Sequence, residues 1–111
     1  MPLLIYLHGA GGVGDQIEKI KGQAMKVWQG LQKFNKGPCI TVAPQCRKRW
    51  TVEDLNLFLQ DLKANFPVDS QRIYLAGNSM GGYGTWAWTG HNPEHFAAIA
   101  PVVGGIGPRG P

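Results

Sequence analysis

The sequence predicts an α/β fold: a mainly parallel four-stranded sheet with three helices on its faces, a three-layer αβα sandwich. Three observations predict it. Short apolar runs alternate with stretches of helical period, in the order βαβαβαβ. That order implies a mainly parallel sheet covered by helices, and no repeat or linker splits the chain. The 111 residues include 16 glycines and 8 prolines, which calls for many turns and close backbone contacts, and only 16% are charged, which argues against disorder.

The elements follow in order. Leu3-Leu4-Ile5-Tyr6-Leu7 is a short apolar run ending at a glycine cluster, as a buried strand does. Ile17, Ile20, Ala24, Val27, Leu31 and Phe34 recur at spacings of 3, 4, 3, 4 and 3, one stripe of an amphipathic helix that Gly37-Pro38 stops. Cys39–Ala43 reads as the second strand, closed by Pro44. Thr51 is placed to cap a second helix, with Asp54 three residues later in the answering position. Its apolar face is Val52, Leu55, Leu59, Leu62 and Phe66, and Pro67 ends it. Val68-Asp69-Ser70-Gln71 forms a turn into the third strand, Arg72–Ala76. A third helix runs from Met80 to about Gly90, and Phe96–Val103 is the fourth strand. Residues 1–103 thus form one domain, and residues 104–111, without periodicity, read as a flexible tail.

Composition excludes several function classes. No apolar run approaches the ~20 residues of a membrane helix, and no signal peptide is visible. The compartment stays open between cytoplasm and export with the leader absent. Net charge is +4, concentrated at Lys19, Lys21, Lys26, Lys33 and Lys36 and at Arg47, Lys48 and Arg49. These read as a solvated helix face and a basic loop, because no nucleic-acid-binding signature accompanies them. Cys39 and Cys46 flank a strand, which would hold their sulfurs ~20 Å apart, so both are expected as free thiols or paired outside the chain.

Two motifs carry chemistry. Gly77-Asn78-Ser79-Met80-Gly81 matches G-x-S-x-G between a strand and a helix, where a serine nucleophile sits on a tight bend. The glycines on either side let backbone pass close, and the helix N-terminus behind it favours an anion. Gly81, Gly82 and Gly84 weaken the helix by ~1 kcal/mol each, so close packing on the strand is the reason expected for them. The second motif, His8-Gly9-Ala10-Gly11-Gly12, ends the first strand. Acyl transfer passes through a tetrahedral oxyanion needing two fixed N–H donors. Met80 supplies one, and Ala10, with Gly11 beside it, the other. Gly9-Ala10-Gly11-Gly12-Val13-Gly14 also spells the dinucleotide fingerprint G-x-G-x-x-G. That motif wants an acid at the end of the next strand, where Ala43-Pro44-Gln45 stands instead, so no nucleotide cofactor is expected.

With these residues in hand, the chain resembles the α/β-hydrolase superfamily, and within it serine esterases of the phospholipase/carboxylesterase, feruloyl-esterase-like and predicted-peptidase kind. The resemblance rests on Leu7-His8-Gly9-Ala10-Gly11, Ala43-Pro44-Gln45-Cys46, Val68–Tyr74, Gly77–Trp86 and Pro93–Pro101. It implies strand order 2-1-3-4, a Ser-His-Asp mechanism with an acyl-enzyme, Ser79 as nucleophile, and Met80 and Ala10 as oxyanion donors. In that family the triad acid and histidine follow further strands, so residues 1–103 are expected to be a partial hydrolase domain cut at both ends.

Other candidates weigh less. His8 stands at the correct end of the sheet, but the resemblance makes it a support of the oxyanion loop; a His8–Ser79 dyad is the competing reading. His91, Glu94 and His95 lie at the far end of the third helix and read as surface or capping residues, adjacent positions not facing one another. They lack a third ligand, so no metal is expected. Asp69 is a turn residue, and Asp15 and Asp54 are helix-start residues. Gln45 and Trp50 are candidates to line the substrate cleft, Trp50 alternatively covering the second helix's start. Trp86 and Trp88 read as packing. The expected partner is a small-molecule ester, with no nucleic acid and no membrane. The fourth strand leaves an open apolar edge, predicting association with another chain or another copy. The function expected is a serine hydrolase of short-acyl or aromatic esters, the alternative being a non-catalytic hydrolase-like module.

Overall fold

A computed structural model describes residues 1–9, 13–14, 20–22, 25–26, 29, 39–46 and 48–102. It contains β1 (Leu3–Leu7), β2 (Ile40–Val42), α1 (Val52–Asn65), β3 (Ile73–Asn78), α2 (Met80–His91), a 3₁₀ turn (Pro93–His95) and β4 (Ala98–Val102). The strands form one four-stranded sheet in the order β2-β1-β3-β4, every pair parallel. The order and direction expected from the sequence are those observed. Of the helix expected over Ile17–Phe34, helical backbone is present at Ile20–Gly22, Met25, Lys26 and Gln29, with Ile20 buried. Its other positions lie outside the described residues, as do Asp15, Val103 and the tail 104–111.

Alternation along the strands sorts the side chains. Leu3, Ile5 and Leu7 of β1 register with Ile73, Leu75 and Gly77 of β3, and so share one face. That face meets Leu55, Leu59 and Leu62 of α1 and Trp88 of α2, which together form the buried core. These spacings in α1 place the three leucines on one stripe, and each such side chain contributes roughly 1.5–3 kcal/mol by leaving water. Ile99 and Phe96 close the core from the β4 side. Phe96 meets the Trp88 ring edge-on, centroids 4.9 Å apart.

The helix ends obey local rules. Thr51 Oγ1 accepts from the Asp54 amide at 3.2 Å, the cap read from the sequence. Phe66 departs from expectation: α1 ends at Asn65, the backbone turns extended at Phe66, and its ring is 51% exposed rather than part of the apolar face. Pro67 explains this, since the residue before a proline is pushed out of the helical region. The two helices on the core face are joined by polar groups. The Trp88 indole donates to Asn56 Oδ1 at 2.8 Å, and the Asn56 amide donates to Asn92 Oδ1 at 3.0 Å. Trp88 is therefore buried as packing, its N–H satisfied. Glu94 and His95 do approach, at 4.0 Å, because they occupy a 3₁₀ turn rather than the α-helix in which neighbours diverge.

In the turn before β3, Asp69 accepts from the Gln71 amide at 3.0 Å and from Arg72 Nε at 2.7 Å. The Arg72 guanidinium foremost, and then the Gln71 amide, hold its carboxyl below the usual carboxylate range. Both cysteines are free thiols. No helix among the described residues is long and apolar enough to cross a membrane.

Two predictions follow from this packing. Leu59→Ala should cost about 2–5 kcal/mol in denaturant unfolding, whereas Leu57→Ala, at a position 62% exposed, should stay within about 0.5 kcal/mol of the parent. Because the folded pKa of Asp69 is depressed, its stabilisation is present above the ordinary carboxylate range and is lost as pH falls through the lowered value. Unfolding midpoints measured down a pH series should therefore fall less steeply in Asp69→Asn than in the parent.

Candidate functional site

The carboxyl ends of β1, β2 and β3 converge on one rim, and the strand order reverses there. Chain direction from β1 leads outward to β2, then back across to β3, which is where open α/β sheets form ligand crevices. β3 runs two residues further than the sequence suggested, to Asn78, and α2 begins at Met80. A single residue, Ser79, makes the whole reversal. Its φ of 57° and ψ of −114° make it the only non-glycine with positive φ among the described residues. Such a conformation costs of order 1–3 kcal/mol and persists only where the surroundings impose it. Here the Ser79 amide donates to the Val102 carbonyl at 2.8 Å, and its carbonyl accepts from the Tyr83 amide at 3.1 Å. The side chain caps no helix amide and is exposed.

Glycines make the bend possible. A Cβ on Gly81 would fall against the Leu7 carbonyl, and one on Gly77 against the Gly81 carbonyl and 2.5 Å from Thr85 Oγ1. The first turn of α2 thus lies directly on the ends of β1 and β3. The Met80, Gly81 and Gly82 amides precede the first intrahelical bond and have no acceptor within the helix.

Gly9 lies beside this bend. A Cβ there would come 3.1 Å from the Asn78 carbonyl and 3.4 Å from Ser79 Cβ. The glycine-rich loop after β1 therefore leaves its strand alongside the serine. Ala10 and Gly11 lie outside the described residues, but both shoulders of the loop are fixed. His8 is 1% exposed; its Nδ1 donates to the Gly9 carbonyl at 2.6 Å, and its Nε2 accepts from the Cys46 amide at 3.1 Å. On the other shoulder, the Gly14 amide donates to the Cys46 carbonyl at 3.0 Å. One residue of the β2–α1 loop thus anchors both ends of the β1 loop. The His8 carbonyl accepts from the Trp50 indole at 3.0 Å, and the two rings lie 4.7 Å apart.

This arrangement decides the role of His8. Both ring nitrogens are engaged with backbone, so neither is free to take a proton from Ser79, and the dyad reading fails. His91 ends α2, roughly 16 Å along the helix from its start, and His95 lies beyond it. No group of three or more metal-ligating side chains occurs among the described residues.

Trp50 and Gln45 line a cavity of about 580 Å³ together with Leu55 and Phe58. Trp50 reaches it by lying across Gly84, 3.1 Å from where a Cβ would stand, so Gly84 is cleared for the indole. Thr51 and Asp54 sit on the same wall, so the start of α1 and the cavity are one place. Burial raises the Cys46 thiol above its ordinary value. Sequence reasoning gives Cys46 as a free thiol and as part of the Ala43–Cys46 match but misses its bracing role, which uses the backbone and leaves no mark in residue type.

Comparison with known proteins places this geometry. The prolyl oligopeptidase family matches residues 44–107. The probable feruloyl esterase C of Aspergillus niger is 23% identical over 111 residues, covering 94% of this chain and 40% of that protein. The S-formylglutathione hydrolase of Rattus norvegicus is 46% identical over 46 residues, covering 39% of this chain and 16% of that protein. The crystal structure of a thermostable esterase superposes with a TM-score of 0.84 at 32% identity, over 96% of this chain and 33% of the other. The chain thus spans 40% of the feruloyl esterases it matches.

The strained bend supplies a test. Ser79→Gly removes the cost of positive φ while Ser79→Ala keeps it, so the glycine variant should unfold about 1 kcal/mol later than the alanine variant. Equal stabilities in denaturant melts would contradict the observed backbone.

Proposed function

Because the chain belongs to the prolyl oligopeptidase family and has the α/β-hydrolase fold, we propose that Ser79 is the nucleophile of a serine carboxylic-ester hydrolase. One observation carries the reading: an exposed serine hydroxyl, spent on no cap, held at positive φ beside a glycine loop. The bend is then a nucleophile elbow.

Ser79 Oγ attacks the ester carbonyl carbon, and the carbonyl π pair moves onto oxygen. The amide of Met80 and that of Ala10, with Gly11 alongside, hold the resulting oxyanion. Collapse of the tetrahedral species breaks the bond to the alcohol, leaving an acyl group on Ser79. Water then repeats the sequence and releases the acid. A base must take the serine proton and pass it to the leaving alcohol. His8 is occupied and His91 and His95 are remote, so the proposal assigns the histidine and its acid to polypeptide other than these 111 residues. The exposed edge of β4, with Ala98, Ala100 and Val102 open, is the proposed contact for that polypeptide or for another copy.

Short-acyl or aromatic esters are the proposed substrates, with Gln45 and Trp50 in the cleft. The name of the Aspergillus relatives, feruloyl esterase C, supports the aromatic choice. The engagement of His8 favours a second reading, a hydrolase-like module without catalysis of its own.

An alkyl fluorophosphonate separates the two readings. The chain has two serines, Ser70 and Ser79, so peptide mass spectrometry has an internal control. With the polypeptide that supplies the histidine present, the proposal expects the adduct on Ser79, none on Ser70, and none anywhere in Ser79→Ala. Absence of label, or label shared equally with Ser70, would favour the inert module.

A further inference from the structure

The cavity beside the site is not neutral ground. Its walls are mostly apolar, built by Trp50, Leu55 and Phe58, and its volume of about 580 Å³ is that of a small-ligand pocket. Two cations, Lys48 and Arg49, stand on its rim against one carboxylate, Asp54, and all three are exposed. The excess is positive where an apolar chamber meets water. A guanidinium and an ammonium at such a mouth favour a carboxylate, sulfonate or phosphate, the first bidentately.

The location is as informative as the charge. Pro44, Gln45 and Cys46, which follow the carboxyl end of β2, line the cavity, and β2 lies two strands from β3, at whose end Ser79 sits. Two inter-strand spacings make roughly 10 Å, a span that an aryl ring carried on a spacer of two or three atoms from the ester carbonyl can bridge. Trp50 spans the interval, its indole tied to the His8 carbonyl and lying across Gly84 of the helix that Ser79 starts. A flat ring entering the cavity therefore meets an aromatic wall that is already fixed.

We propose that this cavity receives the part of the substrate remote from the scissile carbonyl and selects an aromatic group bearing an anionic substituent. Lys48 and Arg49 are then specificity residues, while Trp50 and Phe58 bind the ring. The proposal rests on Ser79 being the nucleophile for the direction of the substrate, but binding at the cavity is testable without turnover.

The probes are benzenesulfonate and its uncharged counterpart benzenesulfonamide, added to the full chain. The Trp50 indole N–H resonance, assigned by its loss in Trp50→Phe, reports occupancy in proton–nitrogen correlation spectra. Benzenesulfonate is expected to shift this resonance saturably and to bind more tightly than the sulfonamide. Lys48→Gln combined with Arg49→Gln, both at exposed positions, should weaken the sulfonate by roughly tenfold and the sulfonamide by less than about twofold. Ser79→Ala should bind both as the parent does, so a failed phosphonate experiment leaves this result standing. Equal binding of the two probes, or a sulfonate affinity unmoved by the double substitution, would overturn the anionic assignment. An unmoved Trp50 resonance, in a protein whose Ser79 does take the phosphonate, would overturn the cavity itself while sparing the nucleophile.

Discussion

The absence of two Cβ atoms governs this end of the molecule. Gly81 meets the Leu7 carbonyl and Gly77 meets the Gly81 carbonyl at separations no side chain survives. Only with bare backbone at both positions does α2 begin immediately on the strand ends. That proximity leaves one residue to turn the chain from β3 into α2, and the turn forces Ser79 to positive φ. The strain is balanced elsewhere, by the hydrogen bond from the Ser79 amide to the Val102 carbonyl and by the apolar core beneath, where Leu75, Ile5 and Trp88 are buried. Helix propensity is sacrificed for this: three glycines in the first turns of α2 would each lower the stability of a free helix.

The second constraint runs across the sheet. His8 is buried with no solvent contact to offset its desolvation, so its ring must be satisfied internally. It is satisfied by the Gly9 carbonyl and the Cys46 amide, and the Cys46 carbonyl in turn holds Gly14. A loop rich in glycine would otherwise sample many conformations. Bracing His8 and Gly14 from one point fixes where the chain leaves β1 and where it passes Cys46. The same braces engage both nitrogens of His8, which is why the proposed mechanism takes its base from elsewhere. Trp50 extends the frame by one more step, linking the His8 carbonyl to the cavity wall and to α2.

Much of this was legible in the sequence. The mainly parallel sheet followed from the alternation of periods, its strand order from the resemblance to α/β-hydrolases, and the G-x-S-x-G run between strand and helix located Ser79. The Thr51 cap and the Asp69 turn were readable because each rests on a short-range side-chain bond. The errors have physical sources. Phe66 fits the helical stripe, but Pro67 decides its backbone. Glu94 and His95 meet because they occupy a 3₁₀ turn, which the sequence reading did not place between the third helix and the fourth strand. Asn56 to Trp88 and His8 to Cys46 pair across 32 and 38 residues, and nothing local marks such partners. The cavity at Lys48 and Arg49 was hidden for a related reason: a basic loop reads as solvated surface until its walls are seen.

The central claim is spatial, that an anion formed at Ser79 falls between the amide of Met80 and that of the loop following Gly9. A crystal structure of the phosphonate adduct tests it most directly. The account predicts the phosphoryl oxygen about 2.7–3.1 Å from the Met80 nitrogen and within the same range of the Ala10 nitrogen. A phosphoryl oxygen directed to solvent, with neither amide in reach, would contradict it.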